Sequence, residues 1–363
     1  MDLWSEKNKK KKILYLTNIE SPYRTAFFNE FSKACELTVL YEREKSKNRN
    51  EKWAKSITAQ YKKLCFGGLN ISNENAFSLR FILEIFHSYD EIIVGCYNSP
   101  IQMVAILLMR LLHKKYIVNI DGEVFITNSG MKSYFKKFFL QGADKYLVAG
   151  EVSARHVKHI FPKATVIPYK FSSLFENEIK QNVMKSKVEN RGGFVLVVGQ
   201  YFDYKGLDVA VKVAKRDKSI QYKFVGMGNR TDLFLKEQDI KDITNVEVIP
   251  FLTKEELEKE YRTCAMFLLP SKQECWGLVI NEAASFGTPI VSTWGSGAAV
   301  EFLAESEFSC FLADANDEES LYEKICKLMH YDNKELYSSY LIKKSMEYTI
   351  EENVKAYMMA INN

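Results

Sequence analysis

Residues 268–289 read LLPSKQECWGLVINEAASFGTP. The two leucines end an apolar run that opens at Ala265, and Pro270 stops it, so residues 265–269 read as a buried strand closing into a polar loop. That loop carries Glu274. Past Trp276 and Gly277 a helix is expected over 278–286, with Glu282 about one and a half turns inside it. A strand, a short loop and a helix in this order make half of a βαβ unit, the building block of a parallel sheet. The helix start offers backbone N–H groups and a positive dipole end, which suit an anion such as a diphosphate. Glu274 stands at the mouth of that site, and Glu282 is within reach of a ribose hydroxyl pair. Singly, each glutamate reads as a solvated surface carboxylate or an ordinary helical one. Two carboxylates flanking one junction favour the binding reading.

The same alternation extends in both directions. C-terminal strands are expected at 194–198, 222–225, 246–249 and 290–292, with helices at 207–215, 254–261 and 319–329. N-terminal strands are expected at 13–17, 37–41, 91–94, 116–120, 145–148 and 165–167, with helices at 23–34, 99–112, 132–140 and 152–160. The fold class that follows is α/β, with two successive Rossmann-like, doubly wound parallel-sheet domains. Ligands of such sheets bind outside the carboxyl ends of the strands. Residues 176–193 are polar and end in Arg191-Gly192-Gly193, an expected interdomain linker. The domains are placed at 1–175 and 190–345. A last helical segment at 345–361 could pack on either of them.

Two more stretches follow strands. Residues 195–206 read VLVVGQYFDYKG, so Gly199 and Gln200 leave a strand and Lys205-Gly206 open a helix. A lysine there can sit over phosphates as a point charge; alone, it reads better as an exposed lysine. Gly226 and Gly228, in VGMG, let a nucleotide approach the backbone, or simply make a turn.

Composition sets limits. The chain has 363 residues, 47% hydrophobic and 26% charged, which excludes disordered and fibrous classes and suits two domains with real cores. Seven cysteines without a CxxC pair and five scattered histidines argue for reduced thiols and against a zinc site. The apolar run at 13–16 is too short for a secretory leader. The run at 103–112, broken by Arg110, falls short of the ~20 residues that cross a bilayer. A cytoplasmic protein, peripheral on the inner face of the cell membrane, is expected. Residues 1–190 hold 30 Lys and Arg against 19 Asp and Glu, a net of +11; residues 191–363 hold 20 against 27, a net of −7. A basic half beside an acidic one suggests an anionic surface or acceptor as partner. Nucleic acid is not expected, because no recognised motif is present and the acidic half opposes it.

The order VGQYFDYKG, FVGMGN, VIPFLTKEEL, ECWGLVINEAASFGTPIV, over roughly residues 194–303, resembles the C-terminal half of the GT4 family of retaining glycosyltransferases, the glycosyl transferases group 1. The resemblance implies a GT-B fold and a nucleotide-diphosphate sugar as donor, a UDP-sugar favoured over a GDP-sugar. It matches the family's Glu-x7-Glu motif to Glu274 and Glu282, the first approaching the donor sugar hydroxyls and the second holding the ribose. Lys205 would contact the diphosphate. The backbone of Cys275, Trp276, Gly277 and Leu278 would cradle sugar and phosphate, and that near Leu252 would read the base. Gly199, Gln200, Gly226 and Gly228 complete the donor set. The family carries Arg where this chain has Gln200, so one positive charge near the diphosphate is lost. Trp276 replaces the usual Phe.

The first half resembles the family loosely. Residues 18–24 read NIESPYR where a glycine-rich loop is usual. Asp121, after the strand at 116–120, matches a position where the family often has a polar catalytic or acceptor-site residue; Asp121-Gly122 reads equally well as a turn. Arg24 and Glu123 are candidates for acceptor or phosphate, and Arg24 reads equally as a surface arginine. Catalytic roles thus fall to Glu274, Lys205 and Asp121. No Asp-x-Asp occurs, so no metal and no other cofactor is expected. The expected acceptor is a glycan, lipid-linked, in surface or exopolysaccharide synthesis. Lys132, Lys136 and Lys137 interleave with aromatic residues, so the helix at 132–140 could lie on an anionic membrane or face a core with a solvated basic side. A sugar-nucleotide epimerase and a non-catalytic sugar-nucleotide-binding subunit are the alternatives.

Overall fold

Strand β1, Lys12–Ile19, buries Ile13, Leu14, Tyr15 and Leu16 in succession. A strand apolar on both faces belongs inside a sheet covered on both sides, as parallel sheets are. The computed structural model describes residues 10–43, 57–71, 75–122, 131–186 and 191–362. It divides into two compact units, Met1–Ser173 with Ile350–Asn363, and Leu174–Thr349.

The first unit continues with α1 (Pro22–Phe31), β2 (Glu36–Arg43), β3 (Lys62–Cys65), α2 (Leu79–Glu84), β4 (Glu91–Val94), α3 (Pro100–Leu111), β5 (Ile117–Ile120), α4 (Met131–Leu140), β6 (Lys145–Ala149), α5 (Glu151–Ile160) and β7 (Thr165–Tyr169). The seven strands are parallel, in the order β3-β2-β1-β4-β5-β6-β7. A short antiparallel pair, Leu69–Asn70 with Ala76–Phe77, lies off this sheet.

Side chains alternate along each strand, so the sheet has two cores. Leu14, Leu16, Val94, Val118 and Val148 face one way, into a cluster with Ile101, Met109 and Val157. The opposite face is aromatic, with Tyr15 edge-on to Phe28 at 4.8 Å.

The second unit comprises α6 (Glu176–Lys185), β8 (Phe194–Val198), α7 (Leu207–Arg216), β9 (Gln221–Val225), α8 (Thr231–Glu237), β10 (Val246–Ile249), α9 (Lys254–Thr263), β11 (Met266–Leu269), α10 (Leu278–Ser285), β12 (Ile290–Thr293), α11 (Gly297–Leu303), β13 (Leu312–Ala313), α12 (Glu318–Met329) and α13 (Lys334–Glu347). Its six parallel strands run β10-β9-β8-β11-β12-β13. This is the doubly wound order, which reverses between the first and fourth strands of the unit. The fold class is the one expected from the sequence.

Two expectations are corrected. The segment read as a polar linker is a helix at Glu176–Lys185: Ile179 is buried and Asn182 Nδ2 donates to Ser285 Oγ at 2.9 Å. Its one deeply buried apolar side chain is too little to show in a sequence pattern. The helix expected over 345–361 is broken: α13 ends at Glu347, and α14 (Ile350–Asn362) belongs to the first unit. There Tyr357 meets Phe27 at 4.8 Å and Tyr169 at 5.4 Å. Lys11 and Lys145 donate to the carbonyls of Ile361 and Ala360, each at 2.7 Å, which satisfies the helix end and its negative dipole pole.

Candidate active site

Strands β8 and β11 are neighbours in register, with Val197 opposite Leu268. They flank the point where the strand order reverses, so the loops leaving their carboxyl ends form the crevice where doubly wound sheets take ligands. Gly206 begins α7 with φ +66°, and a Cβ there would lie 1.9 Å from the carbonyl oxygen of Pro270. Only glycine lets the first loop come this close to the second. Tyr204 O then accepts the amides of Lys272, at 2.8 Å, and Gln273, at 3.2 Å, which stitches the two loops together.

The result is an ion pair between Lys205 Nζ and Glu274 Oε2. Their side chains are 19% and 15% exposed, so water screens the pair only partly. A third loop braces Glu274: its amide donates to Gly295 O at 2.8 Å, and its carbonyl accepts from the Gly297 amide at 3.2 Å. Gly277, with φ +96°, caps α10, and a Cβ there would stand 3.3 Å from Glu274 Cγ. The start of α10 therefore lies directly beside the carboxylate.

Glu282 sits on α10 and accepts a hydrogen bond from Tyr261 Oη at 3.1 Å. Burial pushes its carboxyl up to about 7, against the opposing pull of the Tyr261 hydrogen bond and Lys254. The amides of Gly199, Gly226 and Gly228 donate to Val225, Ile249 and Pro250. Nothing lies within 4 Å of where a Cβ would stand on Gly199 or Gly228, so this backbone is open to a ligand. Gln200 is exposed, and Leu252 is half-buried after β10. Cys275 is exposed, whereas the Trp276 ring is buried, its Nε1 donating to Asn281 Oδ1 at 2.9 Å. The Trp276 ring thus belongs to the core.

One residue escaped the sequence reading. Arg230 follows Gly228, and its guanidinium lies 4.2 Å from the Phe202 ring centroid while donating to Tyr201 O at 3.0 Å. It thereby leans on the same loop that carries Gln200 and Lys205. Lys205 is paired with Glu274, and Lys272 with Asp208 at 3.0 Å. Arg230 is the one Lys or Arg of the loops after β8, β9 and β11 with no carboxylate partner among the described residues. The signal that could have found it is a cation directly behind a glycine turn, VGMGNR.

In the first unit the structure brings together Arg24 and Asp121, 97 residues apart in sequence, as an ion pair. Arg24 also donates to Thr17 Oγ1 at 2.8 Å, and Asp121 Oδ1 accepts from Tyr169 Oη at 2.7 Å. Behind them, Asn119 Nδ2 donates to Tyr169 Oη at 3.1 Å and Tyr15 donates to Asn119. Burial and the nearby Asp121 hold the Tyr169 hydroxyl well above its usual range, so it stays a donor. Arg24 is largely buried and is no surface arginine. Both carboxylate oxygens of Asp121 are engaged. Glu123 lies outside the described residues.

Comparison with known proteins points to a family and a fold. Residues 178–344 match the family described as Glycosyl transferases group 1. An uncharacterized glycosyltransferase of Methanocaldococcus jannaschii is 23% identical over 259 residues, covering 70% of this chain and 67% of the relative. The O-antigen chain mannosyltransferase C of Escherichia coli is 23% identical over 272 residues, 73% of this chain and 72% of its own. Among solved structures, HepE of Anabaena in complex with UDP and glucose superimposes with a TM-score of 0.69 at 15% identity, over 97% of this chain and 99% of that one. Residues 178–344, which hold Lys205, Arg230, Glu274 and Glu282, thus belong to the glycosyl transferases group 1 family, and the chain as a whole shares the two-sheet GT-B fold of the HepE structure.

Proposed function

We propose that this glycosyltransferase moves a hexose from a nucleotide-diphosphate sugar, UDP-linked in preference to GDP-linked, onto a lipid-linked glycan, with retention of configuration and without a metal ion. The observation that carries this is the Lys205–Glu274 ion pair beside the start of α10, at the carboxyl ends of β8 and β11. The UDP in the HepE structure supports the choice of base. The likeness to an O-antigen chain mannosyltransferase supports a surface-polysaccharide setting.

Transfer breaks the bond between the anomeric carbon and the leaving phosphate oxygen, and negative charge grows on the diphosphate. Groups fixed where that charge develops give the largest catalytic gain. Lys205 and the start of α10 are such groups. An incoming diphosphate takes over Lys205 and frees Glu274 to accept hydrogen bonds from the sugar hydroxyls. Arg230 restores the positive charge that Gln200 does not supply. The acceptor oxygen attacks from the face the leaving group departs, and its proton passes to the departing phosphate oxygen. Glu282 accepts from the ribose hydroxyls once ionised. In the first unit, Arg24 binds an anionic group of the acceptor, and Asp121 holds the guanidinium in place, a positioning part rather than that of a base.

The test is transfer from UDP- and GDP-sugars to lipid-extracted acceptor in the presence of EDTA. Activity retained in EDTA and lost in Lys205→Ala supports the proposal. Activity that requires an added divalent cation, or an inverted product, refutes it.

A further inference from the structure

Large apolar side chains stand exposed mainly in one part of the first unit. Leu79, Leu83 and Phe86, at helical spacing on α2 and the turn after it, make one outward stripe. Val104, Leu107 and Leu111 make a second on α3, and Tyr134 and Phe138 a third on α4. Leu79 is 67%, Leu111 75% and Tyr134 71% exposed, so these are ridges rather than edges of a core.

The stripes adjoin. Lys114 Nζ, just past α3, donates to Ile85 O at 2.8 Å and lies 5.7 Å from the Phe86 ring. On the other side, Arg110 donates to Phe138 O at 2.8 Å, its guanidinium 5.0 Å from that ring. The middle helix is thus tied to both neighbours by cations that lie along apolar side chains, as amphipathic side chains do.

The sequence of these segments is mostly of one charge sign. Residues 79–89, 99–115 and 131–140 contain seven Lys and Arg but a single carboxylate, Glu84. Glu84 is buried, takes a hydrogen bond from Tyr89 and lies 3.1 Å from His87. A water-facing surface gains nothing from exposed leucine ridges, and adjoining exposed apolar ridges mark an interaction site. A second copy meeting this face through two-fold symmetry would set cations against cations. A bilayer with anionic headgroups offers both what the leucines need and what the lysines need.

We propose that the α2–α3–α4 face of the first unit seats the protein on an anionic bilayer. This extends the helix at 132–140 to a three-helix surface in which α3, not α4, is the central ridge. The inference deepens the reading of a lipid-linked acceptor, but its test needs neither donor nor acceptor, so the two can fail separately.

The experiment is co-sedimentation of the full chain with vesicles of phosphatidylglycerol and phosphatidylcholine, against phosphatidylcholine alone, at low and high salt. The expected result is pelleting with the anionic vesicles, weaker by about tenfold or more on neutral vesicles or in high salt. Leu107→Glu with Leu111→Glu should abolish it while the melting temperature and UDP affinity stay unchanged. If that variant misfolds, Lys115→Glu with Lys137→Glu serves, since both side chains are exposed. No pelleting of the wild type on anionic vesicles at low salt overturns the proposal. So does pelleting of folded variants like the wild type, or a dimer in solution that the leucine substitutions dissolve.

Discussion

Lys205 and Glu274, 69 residues apart in sequence, form an ion pair between the loops that leave strands β8 and β11. The pair holds the charge of the crevice near balance until an anion competes for the lysine. Lys205→Ala and Glu274→Ala should each lower transfer by roughly 10²–10³-fold, the scale seen when one fixed stabilising group is removed. Each should also lower stability by about 1–2 kcal/mol, because a single loss leaves a partly buried charge without its partner. The double variant should be no less stable than the worse single one, which a thermal double-mutant cycle would check.

Arg230 is predicted to meet the diphosphate in place of the arginine that Gln200 replaces. Arg230→Ala should weaken UDP binding by roughly 10-fold, the worth of one hydrogen bond to a charged group. UMP, with one phosphate fewer, should be affected less. Gln200→Arg placed in the Arg230→Ala background should restore the affinity. Equal loss for UMP and UDP, with no restoration, would reduce Arg230 to a structural contact of Phe202.

Glu282 gives a pH signature. Burial raises its carboxyl from about 4.5 to about 7 in the folded chain. Between those values the folded protein holds a proton that the unfolded chain has released, so this group's contribution to stability falls as pH rises from 4.5 to 7. Glu282→Gln should show a flatter dependence of melting temperature on pH over that window. Donor affinity, which needs the ionised carboxylate as acceptor for the ribose, should instead rise through pH 7 in the wild type alone.

Gly206 tests whether the loops must touch. Alanine there would meet the Pro270 carbonyl at 1.9 Å in a left-handed backbone conformation, so the loop must move. Gly206→Ala should cost about 2 kcal/mol or more and uncouple Lys205 from Glu274. The check is a lowered melting temperature together with weaker UDP binding, against a control substitution at the solvent-facing Asp203.

Asp121 as a positioning residue predicts that Asp121→Ala and Arg24→Ala share one phenotype. Both should raise the acceptor KM more than they lower kcat, and the double variant should equal Arg24→Ala. A pH-rate profile that loses its acidic limb only in Asp121→Ala would instead make it a general base.

Most of the frame was legible because buried parallel strands need unbroken apolar runs, and FVLVV at β8 or MFLL at β11 have little other use. Strand β3 was not legible, since KKLC lies at the sheet edge with its two lysines exposed. Helix α6 hid behind its polar face. Glu274 and Lys205 could each be marked from their strand-to-helix junctions, but their meeting depends on β8 and β11 being neighbours, which local pattern does not encode. The same holds for Arg24 and Asp121, each chosen singly; burial in their ion pair removes only the surface reading of Arg24. Arg230 was missed because its placement comes from an aromatic ring 28 residues earlier, Phe202.

The most direct measurement is calorimetric titration of UDP into the wild type and Lys205→Ala, both in EDTA. The expected result is saturable binding of one UDP per chain without metal, weakened by roughly 10–100-fold in the variant. Binding that appears only when a divalent cation is added, or that is equally tight in Lys205→Ala, would contradict it.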